Sequence, residues 1–181
     1  MKKLLILSLV AFILSSCDKD NDKPKTELEK LPAATQIGAN KAGCLVDGMA
    51  FLPKGYFPGG SALFFFYQDG RNLTLGISQR DDNKIRSVNI ASLNQNLHDN
   101  VNVIFPLKSY GSNSKYAEFN INSVARPHPN YYSTTETITG ELKITYHNFD
   151  KAIMSGTFWF DAVNSEGEIV KVREGRFDVK Y

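Results

Sequence analysis

The chain has 181 residues, 42% of them apolar, 22% charged and 12% aromatic. That balance excludes a disordered tail and a polytopic membrane protein, and it fits a single folded domain. Its 21 basic and 19 acidic residues leave a formal charge of +2, too near neutrality for a nucleic-acid groove or a field that steers anionic substrates. Charge names no partner, and no nucleic-acid partner is expected.

Lys2 and Lys3 precede an apolar run from Leu4 to Leu14, and Ser15, Ser16 and Cys17 follow. This is the charged, apolar and small-residue order of a secretory signal. Eleven residues at about 1.5 Å each make roughly 16 Å of helix, against a hydrocarbon core of about 30 Å. The run is therefore read as a cleaved signal over residues 1–16 rather than a membrane span. Leu14-Ser15-Ser16-Cys17 resembles the lipobox of bacterial lipoproteins. The resemblance implies that Cys17 is diacylated on sulfur, becomes the first residue after cleavage, and takes a further chain such as palmitate on its new amine. Each buried methylene contributes about 0.8 kcal/mol to membrane partitioning, so two or three chains anchor permanently. The alternative is a plain secretory signal cut near Ser16, and only then is a Cys17–Cys44 disulfide open. Otherwise Cys44, at the head of an apolar strand, packs as a small hydrophobe. Cleavage removes Lys2 and Lys3 and leaves 19 bases against 19 acids.

Asp18-Lys19-Asp20-Asn21-Asp22-Lys23-Pro24-Lys25 contains no apolar residue, and weakly structured sequence continues to Asn40. Residues 17–40 are accordingly expected to be the acylated Cys and a flexible acidic tether. The Cys-Asp-Lys-Asp-Asn-Asp run resembles the export signal of surface lipoproteins in Bacteroidota, which implies outer-membrane anchoring and display at the cell surface. In an enterobacterial envelope the same Asp would imply retention in the inner membrane. Asp18, Asp20, Asp22 and Glu29 mimic a calcium loop, but Lys23 stands where the turn wants Gly and Pro24 follows it.

From residue 41 to 181 the apolar residues alternate with period two between Gly, Asn and Asp, the pattern of antiparallel strands. Asp47-Gly48, between Cys44–Val46 and Met49–Phe51, is a type I′ hairpin signal. Leu63 to Tyr67 is apolar on both faces and reads as a central strand. Half-buried strands follow at Leu73/Leu75/Ile77, Val88/Ile90, Val101/Val103/Phe105 and Phe119/Ile121. Later come Leu142/Ile144/Tyr146 and Met154/Phe158/Phe160/Ala162, a turn at Asn164–Gly167, and a last strand whose inward face changes parity near Glu174-Gly175. A bulge at Gly175 would restore its register. The expected fold is all-β, one antiparallel β-sandwich or flattened β-barrel of about nine or ten strands.

Leu31–Gln36, Gly43–Gly48, Gly140–Thr145, Ser155–Phe158 and Gly175–Tyr181 are similar to segments of a family of small Bacteroidota lipoproteins with a domain of unknown function. The resemblance covers roughly Leu31 to Leu52 and Tyr132 to Tyr181. It implies a cell-envelope lipoprotein with an all-β domain and brings no activity or cofactor.

His98, His128 and His147 stand in separate segments without metal-ligand spacing and read as solvated. No nucleophile elbow, phosphate loop or dinucleotide fingerprint is present. Asp150, Asp161, Glu166, Glu168 and Asp178 are the carboxylates from which a glycosidase pair would have to come. No catalytic residue, metal or cofactor is assigned, and the chain is not expected to be an enzyme. What remains are aromatics. Trp159, between Phe158 and Phe160, points outward and is either a second-layer packing residue or a platform for a sugar ring. Tyr131 and Tyr132 in a Pro127–Thr135 loop, with Tyr56 and Phe57, would add to such a platform. The expected partners are the membrane, through the lipid, and an envelope protein or a glycan.

Overall fold

The computed structural model describes residues 24–181 except Gly59, Asp69, 98–100 and 124–125, with the backbone alone for 126–129. The signal, Cys17, the first part of the tether and His98 lie outside the described residues, and so does the side chain of His128. No helix among the described residues is long and apolar enough to cross a membrane.

Among the described residues eleven strands form one sheet. They are β1 (Lys41–Val46), β2 (Met49–Phe51), β3 (Leu63–Gln68), β4 (Asn72–Arg80), β5 (Lys84–Ser92), β6 (Ile104–Leu107), β7 (Lys115–Ser123), β8 (Arg126–Ser133), β9 (Gly140–Asn148), β10 (Ile153–Val163) and β11 (Ile169–Lys180). Nine of them follow the path β2-β1-β11-β10-β8-β7-β5-β4-β3, curled into a half-barrel, while β9 leaves β10 and carries β6. β8 meets β10 only at Ser133 and Val163, because β9 takes most of that edge. The two limbs fold toward each other and share a core in which Leu73, Ile77, Val88 and Ile90 of one limb join Leu142, Ile144, Phe160 and Val172 of the other. Each of these stands at alternate positions of its strand, as period-two burial requires.

The hairpin between β1 and β2 turns at Asp47 and Gly48, with φ of 48° and 82°. Both positive angles are what a type I′ turn demands. Cys44 is fully buried, and burial raises its thiol pKa to about 12. The last strand does carry a bulge. Phe158 pairs with Gly175 and Phe160 with Val172, so Arg173 and Glu174 together face one residue, and Glu174 takes the left-handed conformation at φ 56°. Gly175 follows the bulge for a different reason, since a Cβ there would lie 2.3 Å from the Phe158 ring.

Four expectations differ. β3 ends the sheet path instead of running through its centre. Phe65 and Tyr67 pack inward against Phe177 and Tyr181, while Phe64 and Phe66 stay exposed, so apolar residues on both faces did not mean cover on both faces. Val101 and Val103 are exposed and precede β6, whose inward residues are Phe105 and Leu107. The segment read as a Pro127–Thr135 loop is mostly β8. Over most of that strand one edge is unpaired among the described residues, and such an edge tolerates prolines.

The fourth concerns the tether. Residues 24–40 run along the domain instead of hanging free. Thr26 and Glu29 cap a single 3₁₀ turn at Leu28–Lys30 through reciprocal hydrogen bonds, and Leu31 is buried. The Ala50 N–H donates to Glu27 at 2.8 Å. Asp178, 2% exposed on β11, accepts hydrogen bonds from Thr35 Oγ1, the N–H groups of Ile37, Gly38 and Ala39, and Ser155 Oγ. Burial opposes its charge, but those donors, Thr35 Oγ1 foremost, outweigh it and hold the carboxyl at about 2. A polar composition here marks backbone satisfied by one carboxylate and not by a strand partner.

Candidate functional site

In β10, Phe158 and Phe160 are buried in the core, so Trp159 between them emerges on the outer face, half-buried. Pairing with β9 sets Glu141 directly opposite, and the indole Nε1–H donates to Glu141 Oε2 at 3.0 Å. On the other side the bulge brings Arg173 against the ring, with the guanidinium carbon 5.2 Å from its centroid. Arg173 is itself held: Nη1 donates to the carbonyls of Phe160 and Val172 at 3.0 and 2.9 Å, and Nη2 lies 2.6 Å from Asp161 Oδ1. A guanidinium within about 6 Å of an indole contributes roughly 0.5–1 kcal/mol at an exposed site.

A groove of about 440 Å³ runs past this row, walled by Ala34 of the docked N-terminal segment and by Ile104, with Lys143, Thr157 and Arg176 on its floor and sides. It offers one aromatic surface, two carboxylates and three cationic side chains in close succession. Such a surface suits a polar ligand with an apolar face, which is the chemistry of a sugar ring.

The other aromatic candidates lie elsewhere. Tyr132 is 8% exposed and points into the core beside Phe119, its hydroxyl donating to Glu168 Oε2 at 3.0 Å. It is a packing residue, because adjacent positions of a strand face opposite ways and β8 turns this one inward. Tyr131, its neighbour, is exposed on β8 and is not among the residues lining the Trp159 groove. Tyr56 is exposed and Phe57 half-buried in the β2–β3 connection, again away from Trp159.

The carboxylates singled out as a possible pair are mostly engaged structurally. Asp178 clamps the N-terminal segment, Asp161 pairs with Arg173, and Glu168 accepts from Tyr132 and from Asn164 Nδ2. Asp150 and Glu166 are exposed at turns. Among the described residues no group of three or more His, Cys, Asp or Glu side chains is placed to hold a metal. His147, expected in solvent, is half-buried in an aromatic cluster. Its ring is 3.9 Å from Phe149 and 5.1 Å from Tyr67, and its Nε2 shares a 2.8 Å hydrogen bond with Tyr181 Oη.

Two members of the Trp159 row, Glu141 and Arg173, were not anticipated. Glu141 stands on the outward parity of its strand and Arg173 beside the parity break, but only strand pairing shows that both reach Trp159.

Residues 76–179 match the family model described as "Domain of unknown function (DUF6252)". The chain belongs to this family. The matched range takes in β5 through most of β11 and includes Trp159, Glu141 and Arg173. It includes residues 76–131 of the stretch that the lipoprotein resemblance left out, whereas Leu31–Gln36 and Gly43–Gly48 fall before it. No curated protein and no solved structure matches the chain.

Proposed function

We propose that this member of the family is a lipid-anchored envelope protein that displays a non-catalytic β-domain, acting as a structural or adaptor module. The observation that carries the reading is the signal from Lys2 to Cys17, followed within a few residues by the segment that docks on the domain. With Glu27, Leu31 and residues 35–39 held against the domain, few residues stand between it and Cys17. The domain then sits close to the headgroups instead of on a long leash. Mass spectrometry of the mature N-terminus should find acyl chains on Cys17. A Cys17→Ala protein should leave the membrane fraction, and its persistence there overturns the anchor.

A second reading, a glycan-binding module, is favoured by the Trp159 groove. As the sole tryptophan, Trp159 reports its own environment without interference. Titration with dextran, xylan and mucin glycans should shift its emission and protect it from acrylamide for one of the three. A Trp159→Ala variant that folds and retains all of that binding overturns this reading.

A further inference from the structure

Between residues of β1, β2 and β11 on one side and of β4, β5, β7 and β8 on the other lies a cleft of about 690 Å³ that shares no residue with the Trp159 groove. Its apolar side comes from Phe51, Ile121 and Ile169. Its polar side arises because the inward rows of β4 and β5, apolar through Ile77 and Val88, end in Gln79, Arg86 and Lys84. Side chains at these positions share the parity of the core residues: Arg86 is half-buried there, and Lys84, at the start of β5, is exposed at the rim.

Arg86 is the unusual member. Its Nη2 donates to Gln79 Oε1 at 3.0 Å and its guanidinium lies 5.9 Å from the Phe51 ring centroid, but its Nε is fully buried without a hydrogen-bond partner. Among the described residues no carboxylate is ion-paired to Arg86 or Lys84. The two acids lining the cleft keep their charge but are hydrogen-bonded to neutral donors and form no ion pair with either cation among the described residues. Asp47 accepts from the Lys171 N–H at 2.9 Å, and Glu168 accepts from Tyr132 and Asn164 at 3.0 and 2.8 Å. A guanidinium offers five N–H donors in a planar fork that matches a carboxylate. The Nε–H of Arg86 is buried and unmade, at a cost to the fold. A carboxylate entering the cleft would be met by the Nη1 and Nη2 groups, of which only one N–H is used among the described residues, on Gln79. An apolar residue would serve packing better at that position.

We propose that this cleft binds a carboxylate-bearing amphipathic ligand, its carboxylate on Arg86 with Lys84 beside it and its apolar body against Phe51 and Ile121. The volume lies in the range of small-molecule sites, and barrel mouths are a common place for them. The cleft is open to solvent on one side, so the ligand enters without displacing a strand. An acyl acid and an acidic sugar both present this chemistry, and they differ in what they lay against Phe51.

The test is calorimetric titration of the full-length protein with octanoate, its neutral isostere octanamide, and glucuronate. Octanoate should bind saturably and about tenfold or more tighter than octanamide, and Arg86→Gln should abolish that difference. Lys84→Gln should weaken octanoate by a few fold. Arg86→Lys, which keeps the charge and loses the fork, should bind about three- to tenfold more weakly than wild type, and it serves if Arg86→Gln does not fold. Glucuronate binding as tightly as octanoate supports the site and assigns it to acidic sugars; glucuronate binding much more weakly supports it and assigns it to acyl acids. Equal affinity for octanoate and octanamide, no saturable binding of either carboxylate, or undiminished binding by folded Arg86→Gln or Arg86→Lys overturns the proposal. The outcome is independent of the lipid anchor and of the Trp159 groove, since neither contributes a residue to the cleft.

Discussion

Two charged side chains lie against the core of this domain, and they are treated in opposite ways. Asp178, near the end of β11, is surrounded by five donors from the N-terminal segment and β10. Arg86, at the mouth, has one amide acceptor, an aromatic face and a buried Nε with nothing to donate to. A buried charge with its hydrogen bonds made can organise backbone, and here it fastens a segment that has no strand of its own. One with a buried bond unmade weakens the fold. The first is architecture, and the second is where a partner is to be sought.

The sharpest way to break this contrast is to remove each charge and compare. Asp178→Ala leaves three backbone N–H groups and two hydroxyls without their acceptor and should lower stability by about 3–5 kcal/mol in urea unfolding. Arg86→Met should change stability by no more than about 1 kcal/mol in either direction. Equal losses would erase the distinction.

Of the two charges, acid should act on Asp178 and leave Arg86 as it is. The Asp178 carboxyl sits at about 2 when folded and near 3.9 when unfolded, so its contribution is complete above about pH 4 and is lost as pH falls through 2. Unfolding free energy should drop by about 2 kcal/mol across that window in the wild type, and Asp178→Asn should remove that part of the pH dependence. A smaller effect, about 1 kcal/mol each, is expected from Thr35→Ala and Ser155→Ala, which delete single donors. Both variants should also move the acid limb of the stability curve upward in pH, because fewer hydrogen bonds then favour the carboxylate. The smallest signal is chemical. Cys44, buried with its thiol at about 12, should resist a thiol reagent in the folded protein and react on unfolding, giving an independent readout of the Asp178 variants.

Much of this architecture was legible in advance where the signal is local. Alternation located the core positions of β4, β5, β7, β9 and β10. Asp47-Gly48 announced its turn, and the parity change in β11 announced its bulge to within two residues. Where burial depends on what lies across a gap, the reading failed. Leu63–Tyr67 looks central because five apolar residues look covered, although among the described residues the cover lies on the side of Phe177 and Tyr181 and leaves Phe64 and Phe66 exposed. Tyr131 and Tyr132 are indistinguishable in sequence, and the facing of β8 alone makes one surface and the other core.

By itself the sequence determined an all-β domain, its hairpin and its bulge, and its N-terminus resembles a lipoprotein signal. These follow from short-range rules: side chains alternate along a strand, φ is restricted at a turn, and apolar runs have characteristic lengths. Only the tertiary structure decided that Thr35, Ile37, Gly38 and Ala39 dock on Asp178, that Glu141 and Arg173 frame Trp159, and that Arg86 lines a cleft without an ion-pair partner among the described residues. Each of those depends on pairing between distant strands, such as β1 with β11, β9 with β10, and the two limbs across the core. Period and composition carry no information about which strand becomes whose neighbour.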